Sequence, residues 1–138
     1  MLLVEAEKIL TTEIISGFNL NSIGFVLDNA PEEYAAQETE NERVECLISF
    51  LGSSQASLGG VGTRVYRRTG DIVCRIYTKK DKGTRRDKEI VDIILGMFEG
   101  QAFSGIVTTD ISFLRIGPVG DWHLTTVRIP FYFHSEDI

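Results

Sequence analysis

The sequence predicts an α+β fold: a mostly antiparallel, mixed sheet with two main helices packed on one face, in a single domain. Two observations indicate this class. Apolar residues recur at helical spacing near the start of the chain and again over 85–99, whereas most remaining segments alternate apolar and polar residues between glycine-rich turns. A chain of 138 residues is also ordinary for one domain. We therefore treat 1–138 as one unit.

Both predicted helices have one apolar side. In residues 2–16, Leu3, Ala6, Leu10 and Ile14 form a stripe, and Ser16 begins a stop signal. The second helix spans 85–99 and ends at a glycine, with its apolar side formed by Ile90, Val91, Ile93, Ile94, Met97 and Phe98. Each helix can therefore cover one side of a sheet.

The predicted strands lie between and after the helices. They span 23–28, 43–51, 63–68, 71–79, 103–116 and 122–133. We expect Thr69 and Gly70 to join two of them in a tight hairpin, because glycine tolerates the positive φ of such a turn. Residues 117–121 are a second turn. The acidic segment 31–42 is predicted to be a surface loop.

Residues 52–62 hold four glycines and three serines. This composition indicates either a long, flexible hairpin loop or a bulged edge strand. We assign a flexible loop at about 52–62 within the single domain.

Positive charge is concentrated in one part of an acidic chain. The net charge is −6, yet ten of the fourteen basic residues lie between Arg64 and Lys88, with three acids. The rest of the chain holds four bases and seventeen acids. From this segment we select eight residues as candidates for contact with another protein: Arg64, Arg67, Arg68, Lys79, Lys80, Lys82, Arg85 and Arg86.

Three interpretations of this basic segment are open. It is a solvated surface, or it binds nucleic acid with the help of Tyr66 and Tyr77, although the negative net charge disfavours a polyanion. Alternatively, it meets the acidic surface of another copy. A surface with separate basic and acidic regions favours head-to-tail contacts, which close into a ring if the rotation allows.

Residues that could support catalysis are few. His123 and His134 are isolated in the sequence, and Cys46 and Cys74 alternate with apolar residues, as small core residues of a reducing compartment do. The glycine-rich stretch near Gly60 lacks the Lys-Ser/Thr of a phosphate-binding loop. We predict no enzyme, no metal and no cofactor. We also expect neither a membrane segment nor a signal peptide, and hence a protein made in the cytoplasm.

The order of elements resembles the tail-terminator (tail-completion) proteins of long-tailed, non-contractile bacteriophages. The resemblance is carried by an N-terminal helix, the turn LDNAP at 27–31, and the block RRTGDIVCRIYTKKDKGTRRDKEIVDIILGMFEG at 67–100. It continues in the turn GPVGDW at 117–122 and the apolar strand that follows. None of these motifs is a catalytic signature.

The resemblance implies a structural virion protein. Copies would form a homohexameric ring that caps the completed tail tube and offers a surface for joining the head. The implied partners are the chain itself, the tail tube protein and a head-completion or neck protein, with DNA only as passing cargo. The implied location is the virion tail or neck, after assembly in the host cytoplasm. The eight basic residues would then contact a neighbouring subunit or the tube. Two alternatives stay open: another neck or head–tail joining protein, and a small nucleic-acid-binding module that uses the basic hairpin.

Overall fold

The computed structural model describes residues 1–21, 23, 25–27, 42–58, 64–79 and 85–137; the side chains of 55–58, 64 and 136–137 are not described. The helices and strands are α1 (Leu3–Leu20), β1 (Phe25–Leu27), β2 (Glu42–Leu58), β3 (Arg64–Lys79), α2 (Arg85–Phe98), β4 (Ala102–Phe103), β5 (Ile106–Thr108), β6 (Ser112–Val119) and β7 (Trp122–Asp137). The predicted loop at 31–42 lies outside these residues, except that its last residue begins β2.

A seven-stranded sheet forms the centre of the protein, in the order β1-β2-β3-β7-β5-β4, and β6 also pairs with β7. The pairing of β1 with β2 is parallel and the others are antiparallel. β7 is long enough to hold two partners on one side, with β6 along its first half and β5 near its second half. The mixed, mostly antiparallel sheet with two helices confirms the α+β prediction.

Both helices cover the same face of the sheet. Ala6, Leu10, Ile14 and Phe18 of α1 are buried, as the spacing predicted. They join one core with buried α2 residues and with the inward side chains of the three long strands, namely Val44, Cys46, Ile72, Cys74, Ile76, Val127, Ile129, Phe131 and Phe133. Because side chains alternate along these strands, their other face points away from α1 and α2, and no helix among the described residues covers it.

The predicted hairpin at Thr69 and Gly70 is wrong. β3 runs without interruption through both residues and pairs along its whole length with β7. Gly70 does not adopt a positive φ. A Cβ there would lie 2.3 Å from the carbonyl oxygen of Ser49 and 2.6 Å from Cζ of Phe131. Glycine is needed at this position for close packing, not for a turn.

The prediction of a flexible loop from residue 52 is also wrong for residues 52–58. They continue β2 opposite β3, with register shifts between Phe50 and Gly52 and between Gln55 and Ser57. The bulged strand was the other interpretation of this segment, and it accommodates the glycine and serines there. Residues 59–62 lie outside the described part of the chain. The hairpin of this region is therefore β2–β3, and no basic hairpin exists within β3.

The last third of the chain contains more and shorter strands than the sequence predicted. Ser104 and Gly105 have positive φ angles and separate β4 from β5. A second break lies between Thr108 and Ser112, so the predicted strand 103–116 is divided among β4, β5 and β6. The turn predicted at 117–121 is shorter in the structure: residues 117–119 belong to β6, and Gly120, at a positive φ, and Asp121 join β6 to β7. No helix in the described part of the chain is long and apolar enough to cross a membrane.

Candidate interaction surfaces

The predicted basic residues do not share one surface. Alternation along β3 directs Arg67 and Lys79 to the helix-free face and Arg68 to the opposite one. Arg85 and Arg86 begin α2. Arg64 begins β3 but its side chain is not described, and Lys80 and Lys82 lie outside the described residues. The eight candidates are thus distributed over at least three places.

Arg68 serves the fold. Its Nη1 donates to Oγ of Ser53 at 2.9 Å, and its Nε lies 3.5 Å from Oγ of Ser135. Ser135 in turn donates to the carbonyl oxygen of Met1. The half-buried guanidinium therefore connects β2, β3 and β7 where they reach the start of α1.

Arg86 is also occupied within the chain. Its Nε and Nη2 donate to the two carboxylate oxygens of Glu42 at 2.7 and 3.1 Å, and its Nη1 donates to Glu89 at 3.2 Å. The hydrogen bonds to Glu42, with smaller contributions from Glu89, raise the pKa of Arg86. This bidentate pair fixes α2 to the start of β2 and neutralises the cation. Arg85, by contrast, is exposed and has no ion pair among the described residues.

Asp87 is a buried acid that the sequence pattern did not predict. Its side chain is 2% exposed, and Oδ2 accepts a hydrogen bond from Oγ1 of Thr125 at 3.1 Å. Oδ1 accepts one from the backbone N–H of Lys88, and Arg115 lies 4.0 Å from Oδ2. Asp87 therefore anchors the first turn of α2 to the sheet.

The helix-free face of β2, β3 and β7, called the open face below, carries a strong charge bias. Its described basic residues are Arg43, Arg67, Arg75, Lys79 and Arg128, and its described acids are Glu45 and Asp71. Only two of the five bases belonged to the eight predicted candidates. Arg43 and Arg128 were missed because strands separate in sequence meet only in the folded sheet. Arg75 lies on β3 within the basic segment itself and was not selected among the eight.

Two of these cations make cation–π contacts with aromatic side chains of β7. Cζ of Arg67 lies 4.4 Å from the centre of the Tyr132 ring, and Nζ of Lys79 lies 5.7 Å from the Trp122 ring. Arg67 also approaches Nε2 of His134, at 3.5 Å from its Nε. Such contacts orient a cation without removing its charge.

A second surface is the outer edge of β6. This strand pairs only with β7 among the described strands, so its other backbone edge is open. Its large apolar side chains are unusually exposed: Phe113 59%, Leu114 67%, Ile116 55% and Val119 46%. An apolar open edge is a site where another chain can pair. β6 also carries Arg115 and Pro118, which restrict such pairing in its second half, so Phe113 and Leu114 in its first half are the better candidates for contact.

His123, His134 and the pair formed by Cys46 and Cys74 lie at three separate places on the sheet. In the described part of the chain, no three His, Cys, Asp or Glu residues gather as metal ligands. Nδ1 of His123 and Oγ1 of Thr78, on facing strand positions, are buried without a hydrogen bond there. Cys46 and Cys74 also face each other, with 3.3 Å between their sulfurs. That contact, together with burial, raises the pKa of Cys46 well above its usual value, so the thiol is unreactive.

Comparisons with known proteins show the fold alone. No protein-family model matches the chain, and no curated protein matches it. A solved structure of a protein that bears only a sequence identifier is similar over 96% of both chains, with a TM-score of 0.64 and 10% identity. The whole chain therefore has the fold of a known structure, at an identity too low to carry function.

Proposed function

We propose that this protein is a structural virion-assembly protein, a phage tail terminator whose copies form a ring that caps the tail tube and offers the head-joining surface. The observation that carries the proposal is the open edge of β6. In a ring, each copy presents one surface to the next and a different surface to the previous one. The β6 edge is one such surface, at one side of the sheet.

The size of the β6 surface fits a subunit contact. The exposed parts of its four apolar side chains amount to on the order of 400 Å², taking about 150–200 Å² for a full side chain. Phe113 lies opposite Val127 and Leu114 opposite Thr126, so this area is divided between the two faces of the strand and a partner would have to contact both sides of the edge. A stable interface buries roughly 800 Å² on each partner. The β6 edge would therefore supply the apolar centre of an interface, with a polar rim around it.

Fewer of the eight predicted basic residues are available for contact with another protein than the sequence suggested. Arg68 and Arg86 are engaged within the chain, so a neighbouring subunit or the tube would meet Arg85 instead. We expect Arg85→Glu to weaken assembly and to leave the folded monomer intact. Arg86→Glu would also break the pair with Glu42, and is therefore a poorer test of an interface.

The experiment compares two double variants by sedimentation velocity. Phe113→Ser/Leu114→Ser removes the apolar edge. Val4→Ser/Leu20→Ser is the control, because these two apolar side chains of α1 are at least as exposed as Phe113. We expect the β6 variant to shift from ring to monomer and the α1 variant to assemble like the wild type. Circular dichroism checks that both variants are folded. Wild-type assembly by the β6 variant would refute the role of this edge.

A further inference from the structure

We infer that the open face binds the phosphate backbone of double-stranded DNA without reading its sequence. The placement of this face towards the opening of a ring, through which DNA passes, rests on the proposed function. The binding itself rests only on the residues of the face.

The charge of the open face runs against that of the whole chain. Among the residues whose side chains the structure describes, the face carries five bases and two acids, in a chain of net charge −6. Both acids are occupied: Glu45 pairs with Arg43, and Asp71 accepts a hydrogen bond from Arg128 at 2.5 Å. Cations beyond these pairs give the face a positive potential that attracts a polyanion.

Three of the cations have no acidic partner among the described residues: Arg67, Arg75 and Lys79. They lie on one strand and point to the same side, since their numbers differ by even steps. At about 3.3 Å per residue, the row is roughly 40 Å long. One turn of duplex DNA is about 34 Å, so the row can follow a duplex for a full turn.

The neighbours of this row keep its charge available. Arg67 rests on Tyr132, and Lys79 lies near Trp122, on the adjacent strand β7. An aromatic side chain holds a cation in position and leaves its full charge available to a phosphate, whereas a carboxylate would neutralise that charge. Contacts of this type go to the backbone and carry no sequence information.

Duplex DNA is the occupant that this arrangement favours. It carries one charge per about 1.7 Å of its axis, so every cation in the row can find a phosphate. The competing occupant is an acidic segment of a second copy. The experiment below separates the two.

The test measures binding of a fluorescein-labelled 30-base-pair duplex by anisotropy, between 50 and 200 mM NaCl. The variant is Arg67→Gln/Arg75→Gln/Lys79→Gln. Each phosphate contact contributes about 0.9 to the slope of log affinity against log salt. We therefore expect the slope to fall by about 3 units, and the affinity at 100 mM salt to fall at least tenfold. Two duplexes of unrelated sequence should behave alike.

The control removes positive charge from the helix side at residues that have no proposed role in assembly: Lys8→Gln/Lys88→Gln, two exposed residues of α1 and α2. It should change the slope by less than about 1 unit. An equal loss in both variants, or no DNA binding by the wild type at 50 mM salt, overturns the inference.

Assembly is measured on the same samples, so that the two proposals can fail separately. Normal rings with lost DNA binding support both. Rings that form while the wild type fails to bind DNA overturn only the inference. Loss of rings in the open-face variant with unchanged DNA binding assigns the face to a contact between copies, and also overturns it. DNA binding that needs the open face, by a chain that never forms rings, supports the inference and refutes the ring.

Discussion

Replacing Gly70 by alanine should destabilise the protein strongly, because three strands meet at this residue. Gly70 pairs with Phe50 on β2 and with Phe131 on β7. An added Cβ would lie 2.3 Å from the backbone oxygen of Ser49 and 2.6 Å from the ring of Phe131. The first of these atoms belongs to the backbone and the second to a ring that is 2% exposed, so neither can yield easily.

The size of the effect follows from these distances. Carbon contacts are optimal at about 3.5–4.0 Å, so the strands must separate by about 1 Å. Overpacking of this kind costs typically about 1–3 kcal/mol and sometimes more. Alanine recovers about 0.5–1 kcal/mol of that through the entropy of the unfolded chain. Because the added Cβ meets both a backbone atom and a buried ring, we take the upper part of this range and expect a net loss of about 2 kcal/mol in the free energy of unfolding, out of a total near 10 kcal/mol.

Urea denaturation measures this loss. With a slope of about 2 kcal/mol per molar urea, the midpoint of Gly70→Ala should fall by about 1 M. Gly96→Ala is the matched control, since Gly96 lies on α2 with nothing within 4 Å of an added Cβ. Its midpoint should rise by about 0.4 M, because alanine favours a helix by about 0.8–1 kcal/mol. A midpoint for Gly70→Ala at or above that of the wild type would refute the close-packing role of this glycine.

Two further predictions concern buried groups. Asp87→Ala leaves the hydroxyl of Thr125 without its acceptor and should lower the free energy of unfolding, measured by urea denaturation, by about 2–3 kcal/mol. Asp92→Ala, on the exposed side of α2, is the control and should change that free energy by less than about 0.5 kcal/mol. Equal effects of the two variants would contradict the anchoring role of Asp87. Cys46 and Cys74 should be silent to a thiol-specific chromogenic reagent in the native protein at pH 8 and react fully in urea, and native reaction at the unfolded rate would contradict their burial. Because the folded pKa of Cys46 is raised, its contribution to stability is full below the ordinary thiol pKa of about 8.5 and is lost as pH rises towards the folded value.

Much of the fold follows from local patterns in the sequence. The apolar stripe that includes Leu10 and Ile14 predicted α1. The second helix, α2, ends at Phe98, close to Gly100 as predicted, and the φ angle of Gly100 is positive. The alternation around Cys46 and Cys74 gave two buried strands that prove to face each other. Periodicity reports which side of an element is buried, and burial dominates the choice of structure.

The errors came from residues whose role depends on distant partners. Gly70 has the local chemistry of a turn, and only the approach of Phe131 explains why a glycine lies within a straight strand. The basic segment was contiguous in the sequence, but alternation along β3 and the pair formed by Arg86 and Glu42 divided it. The open face could not be predicted for the same reason, because Arg128 joins it from β7, some sixty residues after Arg67 in the sequence.

Electron microscopy of the purified protein tests the central proposal most directly. We expect six-membered rings with a central opening, and by native mass spectrometry a mass near six times that of the 15.4-kDa chain. Phe113→Ser/Leu114→Ser should abolish the rings, since it removes the apolar edge of β6. A chain that stays monomeric at every protein and salt concentration, alone or mixed with tail tubes, would contradict the proposal.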